Sequence, residues 1–281
     1  MALSRRAAPL ASNAVRNQGA LINYGAGPVT LAGPVSGAGY LSNSVSAGQL
    51  TLAASNSYSG GTYLSAGNAL LQDFSGFGTG TVVMDDFASS AIWITPTSGG
   101  TNVLANNIKL PQSNTPQFVA SGVSLTTMGT VRLTGVLSGG LAGANTPLVN
   151  GGGTPAGNPR LTIALENPAN SFTMNPEVVS GCLAITSDGA LGHPDNDLVI
   201  RSTANFPGGG FTEAVNQVGL RFDANNITLN ANRALTLVGN EILNVQANNA
   251  TIPQLVVPVT DGVQNGLAYR PLAECGNGGH E

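Results

Sequence analysis

Apolar residues in this chain recur in runs of three to six, and each run stops at a Gly, Asn, Pro or Ser cluster. The stretch "LTLAASNSYSGGTYLSAGNALL" (residues 50–71) shows the rhythm: strand, break, strand, turn at Ala66-Gly67, strand. "VTLAG", "TVVMDDF", "AIWITP", "VRLTGVL", "RLTIAL", "DLVIRS", "VGLRFDA", "NITLNA", "ALTLVG" and "TIPQLVV" have the same form. Period-two alternation bounded by turn residues predicts strands throughout. Few of these runs are joined by the Asn-Gly links that mark hairpins. Residues 4–18, rich in Ala and Arg, are the best candidate for a short helix or a disordered leader.

The pattern repeats on a larger scale. "VTLAGPVSG" at 29–37 is matched by "VRLTGVLSG" at 131–139. Downstream, "LTLAASNSYSGGTYLSAG" at 50–67 is matched by "LTIALENPANSFTMNPEVVSG" at 161–181. Two matches in one order mark a module present about twice, spanning about 29–95 and 131–200, with a looser echo at 226–243. Short strands in such an array predict a right-handed, single-stranded parallel β-helix over residues 21–262. Each strand would lie about 4.8 Å from its counterpart one coil away. Coils of roughly 20–25 residues would make a rod of about 8–12 coils and ~40–60 Å. Leu50, Leu52, Leu64 and Leu70 are the expected inward ladder. Asn56 is expected to hydrogen-bond along the column, as stacked amides do. Gly60, Gly61 and Gly67 would supply the corner conformations. Residues 1–20 read as a leader or N-terminal cap and 263–281 as a C-terminal tail or cap. Ends without caps would favour end-to-end association.

At the corner residues the chain resembles the autotransporter-associated β-strand repeat of bacterial passenger regions. That motif runs as a Thr-Leu-Thr-Leu strand, Ser-Gly-x-Asn-x-Tyr-Ser-Gly-Gly-Thr, a strand closing in Ala-Gly, and a Leu-rich strand. Here Leu50-Thr51-Leu52, Asn56-Ser57-Tyr58-Ser59-Gly60-Gly61-Thr62 and Ala66-Gly67 supply it. In the second copy Asn170-Ser171-Phe172 keeps the Asn-x-aromatic element, while Met174-Asn175 stands where Gly-Gly is usual. Residues 187–200 also resemble the segment that lies downstream of the repeat in such proteins. The resemblance implies an exported, non-catalytic stalk or adhesive passenger on a bacterial surface or outside the cell. It also implies an outer-membrane translocator beyond this chain, and glycans or a neighbouring cell surface as partners. The closing "AYRPLAECGNGGHE" has nothing of a barrel strand, which would need about ten alternating residues.

Composition narrows the function classes. Of 281 residues 42% are hydrophobic but only 9% charged, with 38 glycines and a net charge of −4. The polar surface is therefore built from neutral hydrogen-bonding groups. Scattered arginines and a negative total argue against nucleic-acid binding, which needs a concentrated positive field. The N-terminus has an Arg pair but no apolar signal core, so an export signal would be of another kind or outside this chain.

The chemistry-bearing residues are few. Cys182 sits in "VVSGCLAI" and reads as a small buried thiol; a disulfide with Cys275 stays open. His193 lies in the turn "GHPDND", and His280 lies next to the C-terminus. No cofactor motif is present. Asp188, Asp195 and Asp197, with Asn196, could offer oxygens to Ca²⁺, against the simpler reading of an Asx-bonded turn. Asp85 and Asp86 are adjacent on a strand and so face opposite sides. Arg132, Arg201 and Arg221 fall in strands, with nothing in the sequence to bring them to a carboxylate. Such a cluster would favour a polysaccharide-binding or polysaccharide-cleaving β-helix enzyme; an apolar outer face would favour a phage or viral fibre segment. Trp93, between two isoleucines, reads as core rather than a sugar platform. The Gly-rich stretches at 150–159 and 206–211 read as projecting loops.

Overall fold

A computed structural model describes residues 2–3, 13–25, 27–85, 91–94, 101–112, 116–120, 129–150, 161–201, 218–238, 243–246 and 255–256. Among these the chain is all β, with a single turn of 3₁₀-helix at Asp188–Leu191. Every strand pairing is parallel, from Ala2–Leu3 on Ala20–Asn23 to Leu235–Val238 on Leu255–Val256. Parallel neighbours cannot be joined by a hairpin. The chain must travel around before it returns to the same ladder.

One ladder records those returns: Val29, Leu50, Ala69, Ile92, Phe118, Val149, Val178, Ile200 and Leu237 are paired in turn. The intervals run from 19 to 37 residues. The first three intervals and that from Val178 to Ile200 lie near the expected 20–25, while those from Val149 to Val178 and from Ile200 to Leu237, which contain the Gly-rich stretches at 150–159 and 206–211, are longer. A second ladder runs Leu21, Leu41, Thr62, Val82, Ile108, Leu137. A third runs Asn102, Val131, Ile163, Leu183, Leu220, Val245. Their inward side chains form one contiguous apolar core. A leucine buried this way contributes roughly 1.5–3 kcal/mol.

Leu50, Leu52 and Leu64 are fully buried, as predicted. Leu70 is not: it is half-buried, and Ala69 and Leu71 take the inward places. The strand Thr62–Leu71 carries two consecutive partly exposed residues, Ser65 and Ala66, at its corner. They shift the alternation by one, so the inward residues change from even to odd positions.

The two sequence modules prove equivalent in hydrogen bonding. Asn56 Oδ1 accepts from Val35 N–H at 2.7 Å, and its Nδ2 donates to Gly76 O at 2.5 Å. Asn170 Oδ1 accepts from Leu137 N–H at 2.8 Å, and its Nδ2 donates to Ala190 O at 2.8 Å. Each buried asparagine thus ties its own pass to the one before and the one after. The backbone repeats the match: Ser57 N–H donates to Val35 O and Ser171 N–H to Leu137 O, both at 2.8 Å. Gly37 and Gly139 close the paired turns at φ +108° and +80°, where a side chain would strike a backbone carbonyl of the preceding pass. Asn23 Nδ2 donates to Asn43 Oδ1 at 2.8 Å, a further amide rung.

Two further sequence expectations fail. Val15–Arg16, inside the stretch read as a helix or leader, is a strand paired with Val35–Ser36. Its β-branched Val15 meets Val35 in an extended ladder, while residues 4–12 lie outside the described set. "NITLNA" at 226–231 is not a continuous strand: it holds one isolated bridge, at Thr228, between turns. Asn226 adopts φ +58°, which breaks the extension, although Ile227 and Leu229 still point into the core. The proposed tail at 263–281 lies outside the described residues.

Candidate functional site

The turn at 187–197 gathers the residues with the richest side-chain chemistry, and its centre is an arginine from the next pass. Arg233 is 0% exposed. Its guanidinium donates to Asp188 Oδ1 at 3.0 Å, Asn196 O at 2.6 Å, His193 O at 3.3 Å and Leu191 O at 3.4 Å. A charge buried so deeply must be paired and hydrogen-bonded, and Asp188 with the three carbonyls meets that need.

The acidic oxygens bind the same segment. Asp188 Oδ1 also accepts from Asn230 N–H at 2.9 Å, Asp197 Oδ1 from Ala234 N–H at 2.8 Å, and Asp195 Oδ1 from Asn232 Nδ2 at 3.0 Å. Asn196 Nδ2 spans to Phe172 O and Leu191 O. Asp188, Asp195 and Asp197 thus reach toward residues 230–234 instead of converging on one point. Among the described residues no group of three or more His, Cys, Asp or Glu side chains is placed to hold a metal ion. His193 is an exposed turn residue with its Nδ1 3.7 Å from Asp195 Oδ2. His280 lies outside the described residues. The pattern of the sequence does not single out Arg233; its one signal is its place between an Asn-rich turn and the strand "ALTLVG".

The structure brings all three strand arginines to carboxylates. Arg132 meets Glu166 through two bonds, Nε to Oε1 at 2.5 Å and an Nη to Oε2 at 2.6 Å. Arg221 meets Asp223 likewise, at 2.5 and 2.8 Å. Arg201 pairs with Glu177. The Glu166 hydrogen bond, with its charge second, holds Arg132 protonated more firmly than usual. Arg132 and Arg221 belong to one row, separated by Ala164 and Ala184. Their face is mixed in sign, and each guanidinium is turned to its own acid.

The second surface feature is aromatic. Tyr24, Tyr40 and Tyr63 are 61%, 36% and 40% exposed, whereas Tyr58, Phe77, Phe118 and Phe172 are buried. Tyr40 and Tyr63 pack edge to face, with centroids 5.4 Å apart and planes at 79°. Tyr63 is legible as an outward residue, since it alternates with buried Thr62 and Leu64. The side chain of Trp93 lies outside the described residues, with Ile92 and Ile94 filling the core on either side.

Cys182 is buried and its thiol lies 3.7 Å from Leu183 O. Cys275 and Asp86 lie outside the described residues, while Asp85 ends the strand Val82–Met84 half-buried. No helix among the described residues is long and apolar enough to cross a membrane. Comparison with protein-family models, with curated proteins and with solved structures found no match to this chain.

Proposed function

We propose that the chain is a right-handed, single-stranded parallel β-helix that acts as a non-catalytic stalk or adhesive passenger at a bacterial surface. The observation that carries this reading is the unbroken parallel ladder, Val29 through Leu237, tied pass to pass by buried amides. Such a stack grows by adding passes to an existing edge, which suits folding during or after export. The corner residues Asn56, Tyr58, Gly61 and Gly67, on which the passenger-repeat resemblance rests, are those that make the bridges and turns. Neutral polar side chains at most outward positions suit a rod exposed to solvent. The translocator would lie outside this chain, and the ends of the stack would be the places for self-association.

Antibody labelling of intact source cells tests the assignment. The proposal expects labelling, and stripping by external protease, without lysis. Labelling only after lysis would overturn it.

The Arg–carboxylate pairs favour one other reading, a polysaccharide-cleaving β-helix. Both oxygens of Glu166 and of Asp223 accept guanidinium bonds, so each acid is engaged by its own arginine. New reducing ends or unsaturated products from polygalacturonate, lost in Glu166→Gln, would establish that reading instead.

A further inference from the structure

We propose that the exposed outer surface of the Tyr40–Tyr63 pair is a binding subsite for a neutral pyranose chain. The inference rests on the displayed-stalk reading and names the ligand class that this face would meet. Its geometry comes from the parallel register. Tyr40 is aligned with Ala20 of the preceding pass, and Tyr63 with Ser42 before it and Val83 after it. The two rings therefore stand on adjacent passes of one sheet. At 79° to each other, the edge of one ring packs on the face of the other, and the part of each ring left exposed faces solvent.

A pyranose ring has one face of C–H bonds and a rim of hydroxyls. The C–H face fits against an aromatic face, and the rim meets phenol O–H groups that both donate and accept. The surroundings supply more neutral hydrogen-bonding groups. Half-buried Ser44, whose hydroxyl lies 2.9 Å from that of the buried Ser42 beside Tyr63 in its row, is the nearest of these. Tyr24, directly after the strand Ala20–Asn23, is a third exposed ring in the chain's early passes.

Charge argues for a neutral chain over an acidic one. The positions flanking Tyr63 in its row are Ile22, Ser42 and Val83, and the first cation in that row is Lys109, two strands on. The three strand arginines, which could have met uronic acids, are turned to Glu166, Glu177 and Asp223. Partly exposed tyrosines carry large contact area with little conformational entropy to lose, which makes them efficient in recognition.

Saturation-transfer NMR on the purified full chain, with cellohexaose and maltohexaose as separate probes, tests the site. Transfer to sugar C–H protons of at least one probe is expected. Tyr63→Ala should weaken that binding by about tenfold, and Tyr63→Phe by only a few-fold. Tyr40→Ser serves as a second variant, with thermal unfolding confirming that each stays folded. No transfer from either neutral probe would overturn the proposal. So would equal affinity in folded Tyr63→Ala, or binding restricted to polygalacturonate. Because the assay uses purified protein, intact binding with failed surface labelling would remove only the location. Labelled cells with no binding would remove only the subsite.

Discussion

Single residues decide which side of each strand faces the core. Leu52 is fully buried and Leu70, eighteen positions later, is half-buried on the outer side. Leu52→Asp should therefore cost several kcal/mol in urea unfolding, because it buries an unpaired charge, while Leu70→Asp should cost less than about 1 kcal/mol. Equal costs would contradict the register. Tyr58 carries a pH signature. Burial raises its phenol well above the ordinary value near 10, against the Thr62 hydrogen bond at 2.5 Å, which favours ionisation. The unfolded chain ionises first as pH rises, so this stabilisation is complete below pH 10 and is lost above it. Unfolding free energy should fall by about 1.4 kcal/mol per pH unit there from Tyr58 alone. Tyr58→Phe should flatten that alkaline slope, at a neutral-pH cost of about 1 kcal/mol for the lost bond. An unchanged slope would show that Tyr58 is not sequestered. Phe172 holds the matching place in the second module, so the corner accepts a ring without a hydroxyl.

At the scale of the element, strands and corners are legible because they obey local rules. Alternation marks the strands, and Asn56 and Asn170 recur at matched places because each corner needs one amide to satisfy backbone on both sides. Asn170→Ala leaves Leu137 N–H and Ala190 O without their partner and should cost about 2–4 kcal/mol in denaturant unfolding. A change under about 0.5 kcal/mol would mean that the bridges carry no stability. What the sequence hides is non-local. Arg132 and Glu166 are 34 residues apart, and their meeting depends on how much chain lies between two passes. Arg233 reaches its turn across 45 residues to Asp188. Leu70 departs from simple alternation because an extra corner residue shifts the phase, and 226–231 keeps only a bridge at Thr228 because Asn226 turns left-handed at its start. Tyr63 is readable as outward, but its partner Tyr40 comes into view only with the register.

For the whole molecule, the decisive property is the order in which passes lie along one axis. Ile22, Ser42, Tyr63, Val83, Lys109 and Ser138 form one row of consecutive parallel neighbours. Over the longer ladder from Val29 to Leu237, eight steps of about 4.8 Å give about 38 Å of stack, at the short end of the expected rod. The number of passes is only roughly legible in the sequence, because the later ones carry long insertions of unpredictable length. The direct measurement is pulsed electron spin resonance on label pairs, with Cys182 and Cys275 replaced by Ser. Pairs from Ile22 to Val83, Lys109 and Ser138 should read about 14, 19 and 24 Å at the backbone, rising by one strand spacing per pass. Distances that fail to rise in that order, as in a sandwich or an up-and-down barrel, would contradict the stacking of parallel passes.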